Sequence, residues 1–341
     1  MRIPAPAKIN LHLRVGPLGN DGFHPLLSWM VAVGLFDTLT LVRRPAARVQ
    51  SVHNATGPAG SATPAPVATT IVAAGAAPIF ALSSDHPTLE TDHRNLVVRA
   101  ATALADQASR VGEGSTGGGL TSVSALLHKR IPAGAGLGGG SSDAAATLIG
   151  LNRLWKLDWP AARLAGLAAQ LGSDVPFFLG GSSSICTGRG EIVRPTPPPI
   201  PMGGPEPWAV LVLPKIEVST PAVYRRFDEM KLGSEQVLRD EPDWLAWSKL
   251  SAAELMSRLV NDLEPPAFSL RPELGELRQA LERQLGRVVR MSGSGSSLFT
   301  LCDSMDEART LAGEAMGKLN VGTMAVPLAP KMGFETMTKL D

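Results

Sequence analysis

Residues 131–145 read Ile-Pro-Ala-Gly-Ala-Gly-Leu-Gly-Gly-Gly-Ser-Ser-Asp-Ala-Ala, so a strand is followed by a glycine-rich loop and then by a helix. Glycine has no Cβ, so the backbone N–H groups of such a loop can approach a polyphosphate closely. The helix that follows adds free N–H groups and the positive end of its dipole. Ser141 and Ser142 are able to cap this helix and to donate to a phosphate. The segment therefore predicts a phosphate-binding loop.

Three competing interpretations fit this loop less well. Gly134, Gly136 and Gly139 match the dinucleotide-binding fingerprint, but that fingerprint follows the first strand of a βαβ unit, whereas this loop lies in mid-chain. A Walker loop requires a Gly-Lys-Ser/Thr ending, which is missing, and neither the catalytic-loop nor the metal-binding motif of protein kinases occurs. A flexible linker is disfavoured because Pro132 and two regular elements frame the loop.

The composition is that of a globular protein with two domains. A chain of 341 residues exceeds the size at which a single core stops growing. Its 32 basic and 31 acidic residues nearly balance, which argues against nucleic acid as a partner. Apolar runs are too short to span a membrane and no signal-peptide pattern opens the chain, so we expect a cytoplasmic protein without a membrane partner. Cys186 and Cys302 lack metal-ligand spacing and are expected to be buried thiols.

The hydrophobic pattern of the first half predicts strands separated by helices. Strands are expected at 2–13, at 38–42 and around Val123, Ala125 and Leu127, and helices at 95–107, 142–155 and 160–171. The segment 45–85 is rich in Ala, Pro and Thr and predicts an extended hairpin with a mobile tip near 54–66.

The second half begins after the proline-rich stretch 195–207, which we interpret as a linker. Strands are predicted at 208–213, 288–291 and 298–302, a capping box opens a helix at Ser251, and another helix covers 272–285. This order of elements indicates an α+β fold with a nucleotide-binding domain at 1–200 and a layered domain at 206–341.

Three motifs together resemble those of the GHMP kinases, which phosphorylate small alcohols such as galactose, homoserine and mevalonate. They are Pro6-Ala-Lys-Ile-Asn-Leu11, the loop 132–145, and the turn Ser292-Gly-Ser-Gly-Ser-Ser297. Further segments are similar to the branch of this superfamily that acts in the non-mevalonate isoprenoid pathway: Asp21–His24, Leu171–Phe177, Val218–Tyr224 and Asn261–Glu264. The resemblance covers nearly the whole chain except 45–85.

The resemblance implies transfer of the γ-phosphoryl group of ATP to the 2-hydroxyl of methylerythritol in its cytidine-diphosphate conjugate. By motif position, Asp174 is the expected catalytic base and Lys8 its positively charged neighbour, which suits phosphoryl transfer. Mg²⁺ is expected with ATP, and Ser141 is only a candidate ligand. The residues expected at ATP are Pro132, Gly134, Gly136, Leu137, Gly138, Gly139, Gly140, Ser141 and Ser142, with Asn95 at the border of the adenosine pocket.

The same resemblance implies a cytosine site. Phe23 and Tyr224 are expected to stack on the base, and His24 and Asn10 to hydrogen-bond with its polar edge, while Thr220 belongs to the matching segment 218–224. Two residues depart from the family pattern: Phe23 stands where tyrosine is more usual, and Asp143 where asparagine is common. An anion at position 143 is tolerable if it points away from the phosphates and caps the helix.

Two rival functions remain at this level. The first is a kinase for another alcohol, such as homoserine or mevalonate, against which the segment Asp21–His24 argues. The second is a protein of this fold that has lost catalysis and serves as a ligand sensor, against which the presence of both Lys8 and Asp174 argues.

Overall fold

The structure, a computed structural model, describes residues 1–44, 69–71, 79–113, 120–200 and 206–330. Within these ranges two β-sheets are flanked by helices. The strands are β1 (Arg2–Val15), β2 (Leu26–Arg43), β3 (Thr69–Ile71), β4 (Phe80–Ser84), β5 (Val123–His128), β6 (Ser183–Thr187), β7 (Ile192–Pro195), β8 (Trp208–Leu213), β9 (Arg290–Met291), β10 (Leu298–Cys302) and β11 (Gly322–Pro327). The helices are α1 (Leu96–Arg110), α2 (Gly139–Leu154), α3 (Ala161–Leu171), α4 (Phe177–Gly180), α5 (Thr220–Glu229), α6 (Gln236–Arg239), α7 (Trp244–Trp247), α8 (Ala252–Arg258), α9 (Glu264–Leu270), α10 (Pro272–Leu285) and α11 (Met305–Leu319).

The first sheet is organised around the long strand β2. One edge of β2 pairs with β1 through Leu26–Thr40, and the other edge pairs with β6 through Ser28–Val31 and with β5 through Thr38–Arg43. The path β3-β4-β5-β2-β6-β7 completes the sheet, in which only β4 and β5 run parallel. Helices α1, α2 and α3 cover one face, and their apolar residues form the first core.

The second sheet is antiparallel throughout, in the order β11-β8-β10-β9. A separate core joins residues of both sheets, including Trp29 and Ile185 of the first and Leu211 and Phe299 of the second. Residues of β1, of the loop after β5 and of the turn after β9 line one cleft.

Much of the predicted secondary structure is confirmed. Strands β8 and β10 and helix α10 have the predicted bounds, β5 alternates between buried and half-buried residues, and Ser251 and Glu254 form the expected capping box. Both cysteines are buried and free, as predicted. No helix in the described part of the chain is long and apolar enough to cross a membrane.

Three expectations need correction or lie outside the described residues. Strand β2 begins at Leu26 rather than at 38, because its first half is buried on both faces and lacks the alternation that marks a strand. Helix α2 begins at Gly139 rather than at Ser142. Most of the predicted hairpin 45–85, including its tip 54–66, and residues 201–205 of the predicted linker lie outside the described ranges. The domain boundaries 1–200 and 206–341 stay a prediction.

Candidate active site

A cleft of about 780 Å³ lies between the glycine loop, the middle and second half of β1, and the start of α5. Its walls bring together residues from nearly every segment that the sequence singled out. The predicted site residues on its surface are Lys8, Asn10, Phe23, His24, Gly134, Gly136, Gly138, Ser141, Asp174, Thr220 and Tyr224.

Lys8 and Asp174 form an ion pair on the floor of this cleft. Lys8 lies in the middle of β1, its backbone N–H donates to the Leu137 carbonyl at 2.9 Å, and its side chain is only 4% exposed. Its Nζ lies 3.3 Å from Oδ2 of Asp174, whose side chain is 30% exposed. Gly172 ends α3 two residues before Asp174, and α4 begins three residues after it. A largely desolvated ammonium therefore faces a carboxylate that the cleft leaves accessible.

Asn10 orients Lys8 in this structure. Its Oδ1 accepts from Lys8 Nζ at 2.5 Å, and its Nδ2 donates to Ser28 Oγ at 2.8 Å. Ser28 in turn donates to the carbonyl of His12. Both heteroatoms of the amide are thus already engaged, and the predicted contact of Asn10 with cytosine stays a prediction.

The glycine loop requires glycine for its conformation and for its space. Gly134, Gly136 and Gly138 have φ angles of 67°, 76° and 69°, which side chains rarely adopt. A Cβ on Gly136 would stand 2.2 Å from the Ser292 carbonyl oxygen, and a Cβ on Gly138 would stand 3.0 Å from Lys8 Cγ. The glycine loop therefore packs closely against Lys8, the cation of the ion pair with Asp174.

The other predicted residues of the loop divide between solvent, cleft and core. Pro132 and Gly140 are exposed, Gly139 is buried, and Leu137 is buried in the core that joins the two sheets. The expected cap is wrong: Gly138 is the N-cap of α2 and no side chain caps it, because Ser141 and Ser142 already lie within its first turn. Ser142 Oγ is buried without a partner among the described residues.

Asn95 is the N-cap of α1. Its Oδ1 accepts from Val97 N at 2.9 Å and its Nδ2 donates to the Glu90 carbonyl. It does not line the cleft, although Leu96 beside it lies 3.6 Å from where a Cβ on Gly140 would stand. A role at the border of an adenosine pocket stays a prediction.

The turn 292–297 buttresses the glycine loop from the second sheet. Ser292 Oγ donates to the Gly136 carbonyl at 3.0 Å and accepts from Asn10 N at 3.2 Å, while Ser297 N donates to the Ala135 carbonyl. Asn261 holds the turn from behind, since its Nδ2 donates to the carbonyls of Met291 and Gly293 at 2.7 and 2.8 Å. The sequence motif 261–264 pointed to this segment but not to its role.

A buried charge cluster beneath the loop was missed altogether. Lys129 Nζ pairs with Asp37 Oδ2 and, at 2.8 Å, with Asp143 Oδ2. Burial raises the pKa of Asp143 to about 7, although the Lys129 ammonium opposes this rise. Asp143 does point away from the cleft, but it pairs with Lys129 instead of capping α2, so that expectation is corrected.

Three of the residues predicted to bind cytosine, Phe23, His24 and Tyr224, line the cleft, whereas Asn10 lies apart from them beside Lys8. The ring centroids of His24 and Tyr224 are 5.2 Å apart, and Phe23 is half exposed beneath the guanidinium of Arg189, 4.5 Å from its ring. Burial, with a further effect of Asp174, raises the pKa of Tyr224 to about 12. Thr220 Oγ1 lies 2.6 Å from Ser294 Oγ and ties the start of α5 to the turn 292–297.

Comparison with known proteins identifies the family. The model described as "GHMP kinases N terminal domain" matches residues 95–186, and that described as "GHMP kinases C terminal" matches residues 241–317. The chain is 38% identical to a 4-diphosphocytidyl-2-C-methyl-D-erythritol kinase of Nocardioides sp. strain JS614, over 92% of each chain. The chain belongs to the 4-diphosphocytidyl-2-C-methyl-D-erythritol kinase family. A member of this kinase family from Synechococcus sp. strain CC9605 is 35% identical over 90% of this chain and 89% of its own.

Solved structures agree with this assignment. The crystal structure of a 4-(cytidine 5'-diphospho)-2C-methyl-D-erythritol kinase superposes with a TM-score of 0.67 at 33% identity, covering 97% of this chain and all of that one. A homoserine kinase from Cytophaga hutchinsonii superposes with a TM-score of 0.62 at 16% identity over 98% and 96% of the two chains, and shares the fold. The predicted α+β, two-domain GHMP kinase fold and the ATP-dependent small-molecule kinase activity are confirmed.

Proposed function

We propose that this chain transfers the γ-phosphoryl group of ATP to the 2-hydroxyl of 4-diphosphocytidyl-2-C-methyl-D-erythritol, giving the 2-phosphate and ADP in the non-mevalonate pathway to isoprenoid precursors. The observation that carries the proposal is the full-length similarity to kinases of that name together with an ion pair, Lys8 with Asp174, at the meeting point of the glycine loop and the cleft.

Asp174 is the residue suited to accept the proton of the attacking hydroxyl. It is the carboxylate on the cleft floor next to the loop, and its separation of 3.3 Å from Lys8 Nζ keeps a positive charge beside the reacting oxygen. Lys8 also stands below Gly138, so its ammonium is available to charge that develops on the transferring phosphoryl group. Asn10 and the Leu137 carbonyl hold this lysine in place.

The glycine loop and the first turn of α2 are suited to the phosphates of ATP. Gly134, Gly136 and Gly138 have left-handed backbone and carry no side chain that would keep a phosphate away from their N–H groups. Ser141 adds a hydroxyl on the cleft wall. The described residues contain no group of three or more metal-ligating side chains, which fits Mg²⁺ that arrives with the nucleotide and keeps phosphate and water ligands. Mg²⁺ would neutralise phosphate charge, and the Ser141 hydroxyl on the cleft wall would be its candidate protein ligand.

The outer end of the cleft is suited to the cytidine part of the substrate. Phe23 and Tyr224 offer two aromatic faces, and His24 offers a polar edge beside them. Base–aromatic stacking is worth about 1–3 kcal/mol for each base, which is enough to set the affinity for a soluble substrate. ATP and the cytidine conjugate are therefore the proposed small-molecule partners.

The test is ADP release with purified protein and ATP, using the cytidine conjugate, homoserine and mevalonate as alternative acceptors. We expect turnover with the cytidine conjugate alone, and formation of the 2-phosphate by phosphorus NMR. Equal turnover with homoserine or mevalonate would assign another alcohol to this fold. Absence of turnover with all three, in a protein that binds ATP, would indicate a ligand sensor.

A further inference from the structure

Ser28 is a buried hydroxyl one step away from the Lys8–Asp174 pair, and the proposed reaction gives it no role. It lies in β2 opposite Leu13 of β1 and is 0% exposed. Its Oγ accepts from Nδ2 of Asn10 at 2.8 Å and donates to the carbonyl oxygen of His12 at 2.9 Å. Ser28 therefore joins the side chain of Asn10 to the backbone of β1.

The direction of these hydrogen bonds follows from what each group can donate. The carbonyl of His12 only accepts, so Ser28 gives its one hydrogen there and receives Nδ2 of Asn10 on its oxygen. Oδ1 of Asn10 is left to accept from Lys8 Nζ, an ammonium that only donates. Three hydrogen bonds thus run in one direction from Lys8 to the His12 carbonyl, and each polarises the next.

A β-bulge in β1 makes this chain of hydrogen bonds possible. Asn10 and Leu13 are three residues apart, so a regular strand would place their side chains on opposite faces. The register shifts between Asn10 and His12, leaving Leu11 without a partner in β2, and both Asn10 and Leu13 line the cleft. Ser28 shares their face because it lies opposite Leu13. Bulges beside active sites commonly redirect a side chain in this way.

The chain of hydrogen bonds fixes the direction of the Lys8 ammonium. Nζ has three hydrogens, and Oδ1 of Asn10 at 2.5 Å and Oδ2 of Asp174 at 3.3 Å take two of them. Because the ammonium is tetrahedral, these two contacts set the direction of the third hydrogen, which remains for the substrate. We propose that Ser28 is a positioning residue that holds the amide of Asn10 and thereby keeps Lys8 against Asp174. This inference rests on the proposed function.

The contact between Asn10 and Lys8 does not supply this restraint alone. Asn10 is 3% exposed, so Nδ2 cannot turn to solvent for another acceptor. Without the Ser28 hydroxyl, Nδ2 would be a buried donor with no acceptor, which is an unfavourable state that the amide leaves by moving. Movement of the amide shifts Oδ1 as well, and Lys8 then loses its fixed partner.

The substitution Ser28→Ala removes the acceptor of Asn10, whereas Ser28→Thr keeps a hydroxyl on a side chain suited to a strand. Ser184→Ala is the matched control. Ser184 lies in the neighbouring strand β6, is also 0% exposed, and its hydroxyl has no hydrogen-bond partner among the residues that the structure describes. Asn10→Ala, alone and combined with Ser28→Ala, tests whether Ser28 acts through Asn10.

The experiment measures kcat and KM with ATP and the cytidine conjugate in these proteins, together with their melting temperatures. Ser28→Ala should lower kcat by about 5- to 50-fold, within the worth of a hydrogen bond to a charged group, and leave the KM for ATP unchanged. Ser28→Thr should recover most of this loss, and Ser184→Ala should have the kcat of wild type. Asn10→Ala should lose at least as much as Ser28→Ala, and the double variant should lose no more than Asn10→Ala.

Two results would overturn the inference. One is a Ser28→Ala protein with a lower melting temperature and the kcat of wild type, which would give Ser28 a structural role alone. The other is a double variant whose loss of kcat equals the product of the single losses, which would show that Ser28 does not act through Asn10. Wild-type protein that does not turn over the cytidine conjugate refutes the proposed function itself, and this outcome is distinguishable because it precedes any variant.

Discussion

The substitution Asp143→Asn should change how the stability of this kinase depends on pH. Asp143 is 2% exposed and shares the Lys129 ammonium with Asp37, so two buried carboxylates face one positive charge. Asp37 also accepts from the backbone N–H groups of Arg130 and Ile131, at 2.5 and 2.9 Å. Burial, with a further effect of the neighbouring Asp37 carboxylate, therefore raises the pKa of Asp143 and favours its protonated form.

The sign and the size of the effect follow from the pKa of Asp143. Burial raises this pKa from 3.8 to about 7 in the folded protein. Between these two values the unfolded chain has lost the proton and the folded chain still holds it, so the free energy of unfolding falls as pH rises. Each pH unit is worth about 1.4 kcal/mol, which gives at most about 4 kcal/mol over the whole window. Above about pH 8 both states are ionised and no further loss occurs.

Asparagine does not titrate, so the variant lacks this loss. Urea unfolding followed by tryptophan fluorescence at half-unit steps from pH 4 to pH 8 should show the stability of Asp143→Asn, relative to wild type, rising with pH and levelling off near pH 8. The exposed substitution Glu229→Gln serves as the control and should give a small difference across this range. A difference between Asp143→Asn and wild type that does not vary with pH would mean that Asp143 is ionised throughout, and the reasoning would fail.

Three further substitutions test the site. Asp174→Asn should lower turnover by about 10²–10⁴-fold with ATP affinity in calorimetry nearly unchanged, and more than a third of wild-type turnover would remove Asp174 from the role of base. Gly136→Ala should raise the KM for ATP and lower the free energy of unfolding by more than about 1–2 kcal/mol, because its Cβ meets the Ser292 carbonyl. At Gly134 a Cβ meets nothing within 4 Å, so Gly134→Ala should lose only the free energy of placing a side chain on left-handed backbone. Asn261→Ala should lower kcat by about 10- to 100-fold by releasing the turn 292–297. Glu264→Gln should lower the melting temperature without this loss of kcat, because Glu264 pairs with Arg278 and Arg290 and accepts from Met291 N before the turn but does not contact the turn itself.

The secondary structure was predictable wherever one face of an element is buried. The leucines of α10 recur at helical spacing, and β5 alternates, so a period is visible in the sequence. The first half of β2 and most of β1 are buried on both faces, because helices pack on one side and the second sheet on the other. A strand buried on both faces has no period, and this is why the beginning of β2 escaped prediction.

In the candidate site, too, features encoded in short motifs could be predicted, whereas features that depend on the tertiary fold could not. The conformation of the glycine loop and the pairing of Lys8 with Asp174 could be anticipated from motifs, since each motif is a short run of residues. The Asp37–Lys129–Asp143 cluster could not, because its members come from three separate segments of the chain and only the fold brings their charges together.

The hydrogen bonds of Ser292 connect the Lys8–Asp174 ion pair and the glycine loop in one network. Ser292 joins the Gly136 carbonyl to the backbone of Asn10, and the side chain of Asn10 holds Lys8. Movement of the turn 292–297 therefore shifts the loop and the lysine together. Residues that share a hydrogen-bond network couple by about 0.5–3 kcal/mol, so the effects of Asn261→Ala and Gly136→Ala should not add. A double variant whose loss of kcat/KM equals the product of the single losses would show that the turn and the loop act independently.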